Sequence, residues 1–236
     1  MKRSMIIIII LVLSIFSNAF ASPCPLPEAN TETVINFDGI DWYSDYNETV
    51  GAASERGINA LTRGIRDKFE KETKRTPHWK LLLQRIDVGS EKNCGGYLHY
   101  EDKIPDVAGY SVYSLDLYMM YNPEVGYTPD YTEQDAVQFY MALYELHVTD
   151  TKSCYDDLVH KLTKLYGDNP FIDKTKQDEP YACWINQEGA MVGVCDWGFN
   201  VHLLYMAPGA EEKLKALEEK VRTQEIDKAK NDMTGL

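Results

Sequence analysis

The chain has 236 residues, 44% of them hydrophobic and 26% charged, with 24 Lys and Arg against 37 Asp and Glu for a formal net charge of -13. This composition can bury a core and excludes a disordered tail or a collagen-like fibre. The acidic excess argues against a nucleic-acid binder, because that affinity comes mainly from Lys and Arg neutralising phosphates. No motif that fixes a chemistry is present, neither GxGxxG nor GxxxxGK(S/T), HExxH, GxSxG or CxxC, so no cofactor is implied.

Residues 1–21 open with Lys2 and Arg3, continue through an apolar core from Met5 to Phe16 and close on Ala19-Phe20-Ala21. This is the pattern of a secretory signal peptide with a small-x-small cleavage site. The unbroken apolar run from Met5 to Leu13 is far shorter than the roughly 20 residues that span a bilayer. Cys24 follows Pro23, where a lipobox needs a small residue. The expectation is cleavage after Ala21, a secreted or periplasmic product and no stable membrane insertion.

Export makes disulfides chemically accessible to Cys24, Cys94, Cys154, Cys183 and Cys195. Five cysteines form at most two bridges within one chain, leaving one thiol free or shared with a second subunit. The alternative is that all five stay reduced as small buried residues.

Residues 22–34 are Pro-rich and polar and form an extended leader; the fold starts at Ile35. Ser44 is the candidate N-cap of one or two helices over 45–74, with Val50, Ala53, Ile58 and Leu61 as a loose apolar stripe. The charged end of that segment is a solvated helix terminus. The run 79–88 leans to strand, and 89–109, rich in Gly, Asp and Lys, is the least ordered-looking interior stretch. From Val112 to Tyr121 the sequence alternates, with Tyr113, Leu115, Leu117, Met119 and Tyr121 on one face of a half-buried strand. A loop with Pro123, Gly126 and Pro129 leads to a second strand over 138–148, with Tyr140, Ala142, Tyr144, Leu146 and Val148 on one face and Glu145 and His147 on the other.

The clearest helix covers 153–166, capped by Ser153, striped by Leu158, Leu162 and Leu165 and stopped by Gly167. Strands at 181–185, 190–196 and 199–206 then make an antiparallel meander, with Asn186 to Gly189 as the first turn. A turn centred on Gln187 and Glu188 sets Cys183 opposite Val192, with Cys195 further along the partner strand. Cys183 and Cys195 are therefore the candidate disulfide, provided a bulge or slipped register brings them together. Residues 209–233 form a charged helix with Leu214, Leu217 and Val221 on one face, packing on the sheet or fraying into solvent.

Three features carry a resemblance: Phe37-x-Gly39-Ile40-x-Trp42 leading into a helix, Val107-Ala108-Gly109-Tyr110 leading into a strand, and a helix ending Leu165-Tyr166-Gly167 before three strands. The arrangement over 35–207 resembles secreted bacterial proteins of unknown function. It is similar to the tandem helix-plus-sheet repeats of the β-lactamase-inhibitor-protein-like fold and of small outer-membrane assembly lipoproteins. The resemblance implies an α+β protein of two degenerate repeats (35–121 and 138–207), helices on one face of an antiparallel sheet, acting by binding another protein. The chain departs from that pattern in lacking a lipobox, and 63–100 fits no repeat. No functional residue is carried over.

The five histidines, His78, His99, His147, His160 and His202, show no i, i+2 or i, i+4 pair. His147 and His202 on neighbouring strands would still need a third ligand such as Glu145, so no metal is implied. An enzyme reading would use Cys94 beside Gly95-Gly96 with His99 or His147 as base, or a carboxylate pair among Asp116, Glu145 and Asp196. Against it stands the crowding of tyrosines between Tyr110 and Tyr144, with Trp184 and Trp197 on later strands. Such rings give rigid amphipathic contact area. The function expected is an exported, non-enzymatic binding module that meets a protein or cell-envelope ligand through a sheet face bearing Tyr118 and Trp184; a small secreted hydrolase is the alternative.

Overall fold

A computed structural model of the chain describes residues 28–59, 61–63, 95–101, 103–121, 137–174 and 178–210, with helical positions between 210 and 227. The signal segment, Cys24, Cys94 and the strand expected over 79–88 lie outside the described residues. The first helix, α1 (Tyr46–Glu55), opens on a capping box: Asp45 accepts from Glu48 N at 2.9 Å, and Glu48 reaches back to Asp45 N. Asp45, not Ser44, is the N-cap, since the Ser44 hydroxyl is engaged with Thr49 Oγ1. The helix ends at Glu55, and the chain is already strand at β1 (Leu61–Arg63), well short of the expected helix end at 74.

Three longer strands follow: β2 (Gly95–Glu101), β3 (Val112–Tyr121) and β4 (Val137–Leu146). β2 occupies the stretch expected to be least ordered. Its alternation is present, with Leu98 and Tyr100 buried under the helices, but two glycines and flanking charges hide it in the sequence. Helix α2 (Thr151–Tyr166) starts two residues before the expected boundary, because Asp150 accepts from Ser153 N and so takes the cap assigned to Ser153. Gly167 ends it at a φ of 107°, a region closed to most side chains. Then come β5 (Phe171–Lys174), β6 (Pro180–Ile185), β7 (Met191–Asp196) and β8 (Val201–Met206).

All eight described strands join one antiparallel sheet in the order β1-β2-β3-β4-β8-β7-β6-β5, giving a mixed α+β protein. The sheet is apolar on both faces. On one, Ala53 of α1 and Cys154, Leu158 and Leu162 of α2 pack with Leu115, Leu117, Ala142, Trp184, Val192 and Leu203. On the other, Ala210 and Leu214 of the C-terminal helical positions pack with Met141, Leu143, Leu204 and Met206. Helices therefore contribute to both faces, where the sequence led to an expectation of one. The second-face cluster also explains why β3 is buried on both sides beyond Asp116, and not half-buried as its alternation suggests.

Two register shifts matter for the site. Tyr118 pairs with Met141 and Met119 with Phe139, so Tyr140 bulges out of the ladder and falls on the opposite face from Ala142 and Tyr144. A second shift sits at Tyr113, between the Val112 pair with Leu146 and the Ser114 pair with Glu145. It turns the Tyr113 ring out of the apolar face to 56% exposure.

Candidate functional site

The second face of the sheet carries its ionisable side chains at one end. Cross-strand pairing sets Glu101, Ser114, Glu145, His202 and Cys195 in one row over five strands, with His99 opposite Asp116 in the next. Residues paired across an antiparallel ladder share a face, so β-geometry alone gathers these groups.

His99 donates from Nδ1 to Asp116 Oδ1 at 2.5 Å and from Nε2 to Glu101 Oε1 at 2.8 Å. The hydrogen bond to Asp116 outweighs burial and, with that to Glu101, holds the imidazole up at about 9, so it is an imidazolium at neutral pH. Glu145 accepts from Ser114 Oγ at 3.3 Å and from Asn200 Nδ2. Burial raises its pKa, and the Asp116 charge adds to the effect. His202 is 4% exposed and stacks on Trp197 at 3.9 Å between ring centroids.

Two segments lie at this end of the sheet. Before β3, the turn Val107–Tyr110 is fastened to α2: Lys161 donates to the Ala108 carbonyl at 2.8 Å, and the Tyr110 hydroxyl donates to Asp157 at 2.8 Å. Tyr113 follows at once, its ring 6.2 Å from that of His147. Between β7 and β8, Asp196 accepts from Gly198 N, and Trp197 N donates to the Asn200 carbonyl. The turn so fixed presents Phe199 at 61% exposure, 6.5 Å from the Trp197 ring, next to the Asn200 that holds Glu145. Val112 pairs with Leu146 and Leu146 with Val201, so the two segments begin two strand spacings apart, roughly 10 Å.

The site residues expected from sequence fall elsewhere. Trp184 is fully buried on the helix face, donating from Nε1 to the Gly167 carbonyl at 2.9 Å. Tyr118 is 3% exposed, with Tyr97 and Tyr140 rings 5.4 and 6.4 Å away. Both are core rings, because each face of the sheet is covered. Of the three carboxylates, Asp116 and Glu145 meet around His99, whereas Asp196 pairs with Val201 and so lies on the helix face. Cys183 lies opposite Gly193, one residue beyond the expected Val192, and Cys195 lies opposite Tyr181. They are diagonal neighbours, about 7–8 Å apart, and no disulfide joins them. A bond between them needs the strands to slip. Burial pushes the Cys154 thiol up to about 11 and that of Cys195 up to about 12, so neither is a thiolate nucleophile near neutral pH.

Sequence reasoning misses Tyr113 as an exposed ring and gives Phe199 no role. A bulge hides the first, and the second sits in a Gly-containing turn where strand alternation says nothing. Among the described residues, no group of three or more His, Cys, Asp and Glu side chains is arranged to hold a metal ion, and no helix is long and apolar enough to cross a membrane. A shallow groove along α1 is lined by Asp41, Glu48 and Glu55 among small residues and presents neither a ring nor a positive charge. Comparison with family models, with curated proteins and with solved structures finds no match.

Proposed function

We propose that the protein is an exported, non-catalytic binding module, and that it recognises a protein or cell-envelope ligand through the end of the sheet bearing Tyr113 and Phe199. One observation carries the reading. Two large rings, 56% and 61% exposed, flank a half-buried polar network on the same end of a rigid sheet. Exposed rings around fixed polar groups are the usual composition of a protein contact surface. The segment from Lys2 to Ala21 supports delivery to the periplasm or the exterior.

The same reading takes the molecule as two degenerate repeats, with β4 moved from the second repeat (138–207) into the first: α1 with β1 to β4 and α2 with β5 to β8. Its support is the mirrored strand order about the β4–β8 junction, the pattern implied by the likeness to β-lactamase-inhibitor-protein-like folds. Superposing one half of an experimental structure on the other tests it: matching strand order and helix placement support the repeats, and a mismatch removes them.

The functional test is capture of crosslinked partners from envelope and culture fractions by the purified secreted chain. A Tyr113→Ser, Phe199→Ser double variant should lose the dominant partner while melting within a few degrees of wild type, because both rings are exposed. Undiminished capture would move the surface elsewhere. One observation favours a hydrolase as second reading: Asp116 and Glu145 lie close together, with the Glu145 pKa raised, as a carboxylate pair with split roles requires. That version predicts turnover of aryl glycosides, abolished by Asp116→Asn and by Glu145→Gln alike.

A further inference from the structure

We propose that the partner docks a cationic side chain, an arginine or lysine of a basic protein segment, onto Glu145 between Tyr113 and Phe199. The inference rests on the binding reading above and deepens it.

Charge complementarity selects the occupant. Glu101, Asp116 and Glu145 face the site with His99, and the imidazolium is already engaged by Asp116 and Glu101 at 2.5 and 2.8 Å. Glu145 is held by two neutral donors, Ser114 and Asn200. Among the described residues, no Lys, Arg or His makes an ion pair with it. The charges of His99 and His147 reach Glu145 only at longer range, so a chain of net charge -13 holds a fixed, half-buried carboxylate that makes no direct ion pair among the described residues, at the end of the sheet that presents two open rings.

An arriving guanidinium or ammonium would replace part of the lost hydration of Glu145. Its flanks would lie against the faces of Tyr113 and Phe199, where a cation is attracted by the ring quadrupole. An acidic segment or an anionic lipid headgroup would meet repulsion from the same carboxylates. The two neutral hydrogen bonds fix the carboxylate oxygens in advance, which lowers the ordering cost of docking.

The test uses the full secreted chain and three labelled nonapeptides, of arginine, citrulline and glutamate, followed by fluorescence anisotropy at two salt concentrations. The arginine peptide should bind, and the citrulline and glutamate peptides should not. Glu145→Gln should weaken arginine binding about tenfold, the size of effect set by truncating one member of a close charge pair. Phe199→Ser should weaken it as well, whereas Asp178→Asn, at an exposed carboxylate beyond β5, should leave it within about twofold of wild type. Equal losses in Glu145→Gln and Asp178→Asn would show only diffuse attraction by an acidic surface and overturn the proposal, as would citrulline binding as tightly as arginine. Failure of the binding reading looks different. If natural-partner capture needs Tyr113 and Phe199 but ignores Glu145→Gln, the surface stands and its basic partner falls; if capture ignores the rings too, both fall.

Discussion

His99 lies between two carboxylates, and its pKa of about 9 in the folded chain stands above the ordinary 6.5. A group whose folded pKa is raised stabilises fully below its unfolded value and loses that contribution as pH climbs through the folded one. The stability difference between wild type and His99→Gln, from urea titrations, should therefore shrink by roughly 2 kcal/mol between about pH 6 and pH 10. Glu145 has the same sign from a different cause. Its burial favours the protonated acid, so the folded state is penalised when pH rises above the ordinary carboxyl range. Glu145→Gln should accordingly raise the melting temperature near neutral pH, while the uncharged amide keeps an oxygen for Asn200. A residue that costs stability where it stands is a candidate for selection by function. Trp184 is the contrasting case, a fully buried ring with its N–H on the Gly167 carbonyl. Trp184→Ala should cost about 3–5 kcal/mol in the same titration.

At the scale of elements, side-chain chemistry that competes locally set the boundaries. Asp45 and Asp150 each displace a neighbouring serine as N-cap because a carboxylate accepts more strongly at the positive end of a helix. Asp45→Ala should cost about 1 kcal/mol and fray α1 first, visible as faster amide exchange at Asn47 and Glu48. The long strands β3 and β4, helix α2 and the three-strand meander were legible, since each repeats its periodicity over enough residues to be unmistakable. β2 and β5 were not. The first hides its alternation behind Gly95 and Gly96, and the second has four residues, three of them exposed, leaving little apolar pattern to find. Bulges were the deeper obstacle. A single extra residue at Tyr113 or Tyr140 exchanges the faces of the residues beyond it, and nothing in composition announces it. Tyr113 was invisible for this reason and Phe199 because it sits in a turn, while two of the site's carboxylates, Asp116 and Glu145, were singled out from their strands.

The whole molecule is a sheet covered on both sides, so its most protected backbone should be central. Amides of β4 and β8 should exchange last, near the global unfolding limit, and those of edge strand β5 first; hydrogen exchange read by mass spectrometry checks the order. The unfolding transition should be single, because β4 and β8 join the two halves through an unbroken ladder from Met141 with Met206 to Leu146 with Val201.

That central junction also constrains how the chain is made. β8 is the last of the described strands, yet its place is beside β4, in the middle of the sheet. A polypeptide emerging from its N-terminus can pair β2 with β3 and β3 with β4 early, but must then hold β4 open along one edge while α2 and three further strands arrive. Tyr140, Met141 and Leu143 stand on that waiting edge, and an apolar open edge invites pairing with a second nascent chain. Release from the ribosome ahead of residue 201 would thus yield an adhesive half-sheet, not a smaller version of the protein.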